Sequence, residues 1–173
     1  MNVLSPSAPS RQAGGVNIDG CPSFLADRML GKLARWLRIM GYDTEYANEM
    51  DDDGTIAGIA ADQGRILLTR DRNLHSRKGV KSIYISAVEI GEQLRTVVSE
   101  CGLAYDENRM RCSLCNGVIS ITGREEVSGL VESGILARHD HFYVCGTCGK
   151  IYWRGSHWAR ISGVIDVVLA RGK

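Results

Sequence analysis

The chain has 173 residues, with 21 Lys and Arg against 20 Asp and Glu for a formal net charge of +1, 44% hydrophobic residues and a mean hydropathy of −0.12. This length suits one medium domain or a small one with an appendage. The composition describes a soluble globular protein and excludes a membrane-spanning helix, because the apolar runs fall far short of the ~20 residues a bilayer demands. The near-balanced charge gives no bulk attraction for polyanions, so only a local concentration of one sign can point to nucleic acid.

The start shows no basic segment followed by an apolar core and a small-residue cleavage site, and the chain is read as cytoplasmic. All three prolines fall within residues 1–22, among serines and glycines. Such a composition cannot bury a core, and residues 1–22 are expected to form a disordered tail.

From Phe24 the pattern tightens. "SFLAD" reads as a short strand ending at Asp27. "MLGKLARWLRIMG" follows, with Leu30, Leu33, Ala34, Leu37 and Met40 at helical spacing and Gly41 as a stop. "DTEY" is a second strand, and "DDDGTIAGIAADQG" a helix with aspartates at its N-terminus and Gly64 closing it. "RILLTR" carries an unbroken apolar run suited to a strand covered on both faces. A charged loop, "RDRNLHSRKG", leads to the strand "KSIYI" and then to the helix "AVEIGEQLRTVVSECG", with Val88, Leu94, Val97 and Val98 broadly apolar. Alternating strands and helices predict βαβ units and a parallel sheet over residues 23–103. Residues 104–173 change style to short segments, scattered glycines and cysteine pairs, and end in "HWARISGVIDVVLA", expected as a helix packing back on the body.

Parallel strands point the same way, and ligands of open α/β sheets bind beyond the carboxyl ends. Asp27 and Asp71 each follow a strand, and Asp53 begins a helix that starts near the same edge. Three carboxylates are therefore expected to converge. Their mutual repulsion calls for a hard divalent cation such as magnesium or manganese, and phosphodiester hydrolysis is the chemistry such a site supports. Each acid also has an ordinary use: Asp27 as a helix cap, Asp71 in an Asx turn, and Asp51, Asp52 and Asp53 as a solvated run complementing a helix dipole. Capping by itself gives no reason for the acids to share one edge.

On a helical wheel, Lys32, Arg35 and Arg38 lie opposite the apolar face, with Ile39 as the exception in that arc. Arg70 and Arg72 flank Asp71. Cations beside an acidic metal site are suited to hold a polyanion by its phosphates, although an ordinary solvated face has the same look.

"CSLC" and "CGTC" place Cys112, Cys115, Cys145 and Cys148 in two C-x-x-C pairs, a strong signal for tetrahedral zinc. Four thiolates fill the shell, so the zinc is expected to be structural. Gly146 and Gly149 supply backbone freedom to the second turn. Cys21, in the tail, and Cys101, at a helix end, are read as bystanders. The stretch "KIYWRGSHW" interleaves aromatics with Lys150, Arg154 and His157, a pattern that fits base stacking and equally fits the core of a small domain.

Together "FLADRMLGKLARWLRIMGYDT", "RILLTRDRNL", the two cysteine turns and "GKIYWRGSHW" resemble the C-terminal RNase domain first named in the mut-seven exonuclease proteins. The resemblance runs from about Phe24 to Trp158. It implies a PIN-like three-layer α/β nuclease domain followed by a zinc ribbon, and a metal-dependent ribonuclease whose acids map to Asp27, Asp53 and Asp71, with Asp52 as the alternative to Asp53. Where PIN-like sites add a fourth acid, this chain has Asn73, with Glu49 as a replacement. The expected function is endonucleolytic cleavage of RNA with Mg or Mn at the carboxylates. Two alternatives are a non-catalytic RNA-binding adaptor and, more remotely, a hydrolase of small phosphate esters.

Overall fold

The computed structural model describes residues 20–48 and 52–170 of the chain. Most of the expected tail, along with Glu49 and Asp51, lies outside the described residues.

The most apolar segments form the centre of the first sheet. β1 (Phe24–Ala26) and β3 (Ile66–Thr69) are buried at every residue. They are flanked by β2 (Thr44–Tyr46) and β4 (Ser82–Tyr84) in the order β2-β1-β3-β4, all parallel. Alternation along these strands sends side chains to two separate cores. Phe24, Ala26, Ile66, Leu68 and Ile83 meet α1 (Gly31–Ile39) and α4 (Ile90–Cys101) on one face. Leu25 and Leu67 meet α2 (Asp53–Asp62) and Leu74 of α3 (Arg72–His75) on the other. The result is the three-layer α/β architecture expected from the alternating pattern.

α1 enters through a single 3-10 turn, Arg28–Leu30. Gly31 allows a close approach there: a Cβ on it would stand 2.7 Å from the Tyr46 ring. The Tyr46 hydroxyl donates to the Arg28 carbonyl at 2.9 Å. α4 ends at Gly102, whose φ of +62° suits glycine at a helix C-terminus.

The second sheet is antiparallel, with β5 (Ile119–Gly123), β6 (His141–Cys145) and β7 (Ile151–Trp153) in that order. A short α5 (Ser133–Leu136) lies between β5 and β6. The last helix, α6 (Ser156–Ala170), packs on α4 and inserts Ile165 and Val168 into the core it shares with α1.

Three local expectations are corrected. The charged loop after β3 contains α3, because the Asp71 carboxylate accepts from the Asn73 and Leu74 amides and caps a turn there. Val88 is 72% exposed, since α4 starts only at Ile90. Cys21 is half-buried against the larger core rather than lying in the tail.

The two sheets are tied by a polar joint. Arg38, expected on the cationic face, is 6% exposed. Its Nε donates to the Thr44 carbonyl at 2.8 Å, and Nη1 to the carbonyls of Ser113 and Leu114 at 3.2 and 3.0 Å. The guanidinium fork matches three carbonyls that converge from two elements, which overrides the solvent-facing position inferred from the wheel. Arg38→Ala is expected to destabilise the chain by roughly 2–4 kcal/mol, because it strands buried acceptors. Arg38→Lys should recover little. A lower urea midpoint at unchanged slope is the readout.

Beside it, Asp43 accepts from Arg65 at 2.7 Å and from the Asn116 amide at 2.8 Å, with Arg111 at 3.6 Å. Burial alone raises the Asp43 pKa, but the bonds from Arg65 and Asn116 and the charges of Arg65 and Arg111 outweigh it and hold the pKa below the usual carboxylate value. A depressed folded pKa means the stabilisation is complete above the unfolded value near 3.9 and is lost as pH falls through the folded one. Unfolding free energy is therefore expected to decline below about pH 4 in the parent and more shallowly in Asp43→Asn.

Candidate active site and metal centre

The chain leaves β1 toward β2 on one side, then returns across β1 through α2 to reach β3 on the other. β1 and β3 are thus adjacent strands whose connections diverge, and the crevice beyond their carboxyl ends is the usual ligand position in an open α/β sheet. Asp27 follows β1 and Asp71 lies just past β3.

Asp27 is 5% exposed. Its Oδ1 accepts from the Met29 amide at 2.9 Å, and its Oδ2 from the Thr69 hydroxyl at 2.5 Å and the Arg70 amide at 2.9 Å. The same Thr69 hydroxyl accepts from the Asp71 amide at 2.9 Å. Thr69 therefore couples the two strand ends, holding the Asp27 carboxylate and the backbone of Asp71 in one unit. Thr69 is not among the residues that the sequence motifs single out. Its signal was a hydroxyl closing an otherwise apolar strand one residue before "RD". Asp71 uses Oδ1 for the Asn73 and Leu74 amides at 2.6 and 3.2 Å. The fourth-acid position, Asn73, lies on that same turn.

Asp53 is the first residue of α2, with its carboxylate 3.9 Å from Arg28, next to Asp27 in the chain. Asp52 rather than Asp53 is the cap. Its Oδ2 accepts from the Thr55 amide at 2.7 Å and the Thr55 hydroxyl at 3.1 Å, and the Thr55 amide bond leads in holding its pKa below the usual value.

The structure thus puts Asp27, Asp53 and Asp71 along one rim. It does not gather them into a cluster. Among the described residues, one group of three or more candidate ligands lies close enough to share an ion, and that group is the four cysteines. The expected convergence is corrected to this extent: Asp71 accepts from amides of its own turn, Asp27 divides its oxygens between its own turn and the end of β3, and Asp53 faces Arg28.

Lys32 and Arg35 are exposed on α1, and Arg70 is half-buried at the rim. Arg38 has left that set for the joint. Arg72 lies 5.6 Å over the Tyr84 ring.

In the cysteine centre the four Sγ atoms all lie within 4.8 Å of one another. Cys112 and Cys148 are 3.6 Å apart, and Cys115 and Cys145 are 3.4 Å apart. Thiolates sharing a tetrahedral zinc with Zn–S near 2.3 Å stand about 3.8 Å apart, so the spacing is compatible with a structural zinc site.

The backbone explains how the turns fit. Asn116 at φ +66° and Gly149 at φ +70° take the left-handed conformation immediately after each pair, a conformation Asn tolerates best after glycine. Gly117 has no room for a side chain: a Cβ would meet Thr147 and come within 2.9 Å of the Cys145 sulfur. The Tyr152 hydroxyl lies 3.1 Å from Cys112 Sγ and 3.3 Å from Ser113 Oγ.

Burial pushes the Cys112 thiol up, but bonds from Tyr152 and the Cys115 and Leu114 amides bring it down to about 6. Burial and the neighbouring thiols push Cys115 up to about 12. Four sulfurs this close resist joint deprotonation, which is the charge that a bound dication relieves.

A family model described as the Mut7-C RNAse domain matches residues 22–165, most of the chain. Comparison with curated proteins finds no match, and comparison with solved structures finds none. The match takes in the acidic rim, the joint and both cysteine pairs, and the chain belongs to the Mut7-C RNAse domain family.

Proposed function

We propose that the chain is a cytoplasmic, metal-dependent endoribonuclease that hydrolyses RNA phosphodiester bonds at the rim bearing Asp27, Asp53 and Asp71. Membership of a ribonuclease domain family supports the reaction class. The observation that carries the site is the Asp27–Thr69–Asp71 unit at the crevice between β1 and β3. We also read residues 23–103 as the nuclease unit and 104–173 as the ribbon unit with its returning helix. Six free thiols, four of them gathered as a metal site, support a reducing compartment.

The rim offers hard oxygen donors of the type magnesium and manganese prefer. Magnesium retains several waters and takes one or two carboxylates together with substrate phosphates, so a tight cluster of three acids is not required. Asp27 and Asp71 would hold it, with Asp53 beside them. When bound, the cation supplies Lewis-acid chemistry, neutralising phosphate charge and acidifying water.

The remaining work falls to the chain itself. Thr69 and the Arg70 amide orient the Asp27 carboxylate. Among the described residues Oδ2 of Asp71 has no bonded partner and remains available. Lys32, Arg35 and Arg70 contact the backbone phosphates without reading sequence. A zinc at the four cysteines keeps the ribbon folded and takes no part in the reaction.

The test incubates zinc-loaded protein with an end-labelled RNA, with and without manganese or magnesium. Internal cuts that depend on the added metal support the proposal. RNA binding with no metal-stimulated products would instead select the adaptor reading.

A further inference from the structure

A cavity of about 690 Å³ opens where the ribbon meets α6, within the size range of small-ligand sites. Its lining combines flat aromatic rings with positive charge. Tyr143, Trp153 and Trp158 contribute rings, and Arg111, Arg138, Lys150 and Arg154 contribute cations, against the single carboxylate of Glu107.

These side chains divide into two groups. Arg154 is a brace: it pairs with Glu107 at 3.2 Å and lies 5.3 Å over Tyr143 and 5.8 Å over Trp158. Arg111 belongs to the Asp43 joint. Lys150 and Arg138 are exposed and have no ion pair among the described residues. Trp153, at the end of edge strand β7, is 38% exposed. A partly exposed tryptophan that lines one cavity with two unpaired cations is a good platform for a base.

Position adds an independent observation. Ile39, the apolar exception in the cationic arc of α1, lines the cavity. Lys32, Arg35 and Ile39 lie on one stripe of that helix at i, i+3 and i+7. The stripe begins just after the acidic rim and ends at the cavity, about 10 Å along the axis from Lys32 to Ile39. A single strand seated in the cavity can therefore run along exposed Lys32 and Arg35 to the rim.

We propose that this cavity docks one nucleotide of single-stranded RNA, its base stacked on Trp153 and its phosphate held by Lys150 and Arg138, at the far end of α1 from the acids. The inference rests on the ribonuclease reading for its ligand, and the test separates the two.

The zinc-loaded 173-residue chain carrying Asp71→Asn, so that the strand survives, is titrated against a fluorescein-labelled oligoadenylate of about 12 nucleotides, within the ~4–16 that single-strand-binding modules cover. Adding Trp153→Ala is expected to weaken binding by roughly 5- to 150-fold, the value of one stacked base, whereas Trp153→Phe restores most of the affinity. Lys150→Glu should weaken binding and reduce its salt dependence. Zinc content equal to the parent's shows that each variant is folded. If Trp153→Ala and Lys150→Glu bind like the parent, the docking site is refuted while RNA remains the ligand of the rim and α1. If the Trp153 parent binds no oligonucleotide at all, both readings fail.

Discussion

Asp71→Asn is expected to lower metal-stimulated RNA cleavage by about 10²–10⁴-fold, the loss of several kcal/mol of charge stabilisation at the reacting phosphate. Its fold should be intact. The contact Asp71 makes within the structure is through Oδ1 to the Asn73 and Leu74 amides, and asparagine caps a helix as well as aspartate does. The substitution replaces only the anionic second oxygen by an amide, leaving α3 in place. Single-turnover cleavage at saturating manganese, together with a thermal melt, checks both halves. A variant that cuts at the parent's rate removes Asp71 from the site. A variant that is both inactive and unfolded says that the carboxylate's charge, rather than its cap, holds the rim together. Asp27 makes a less selective probe, because three donors converge on it and an amide there would set N–H against N–H.

The second large effect concerns the ribbon. Cys145 is 1% exposed and faces Cys115 at 3.4 Å. The parent is expected to carry one zinc per chain. Cys145→Ser should lose it, and with it the near-ultraviolet signal of Tyr143, Tyr152 and Trp153 on β6 and β7. A structural zinc is worth on the order of 10 kcal/mol to a small domain, more than the three short strands can replace. Elemental analysis and circular dichroism of the two proteins decide this. Retention of stoichiometric zinc and an unchanged melt in the variant would exclude the quartet as its ligand set. The consequences should reach the first sheet, because Arg38, Asn116 and Arg111 tie the first cysteine turn to β2 and α1.

Much of this could be read before any coordinates. The strand "ILL" and the apolar faces of α1 and α4 follow from periods of two and 3.6, which are properties of neighbours in the chain. The C-x-x-C pairs impose their own chemistry through ligand type and spacing. The helix α3 is hidden because its only signal is Asp71, whose local pattern fits an Asx turn as well as a helix cap.

What the linear order determined about this protein is therefore the layered α/β body, the cysteine quartet and the family, since each rests on local periodicity, short spacing or motif. The tertiary structure alone decided that Arg38 faces inward, that Thr69 joins two strand ends, and that Ile39 opens onto a cavity. Each of these depends on which distant segment packs against a given side chain. A wheel or a spacing rule treats the helix as if solvent surrounded its polar face, and that assumption fails where a second sheet brings carbonyls to meet a guanidinium.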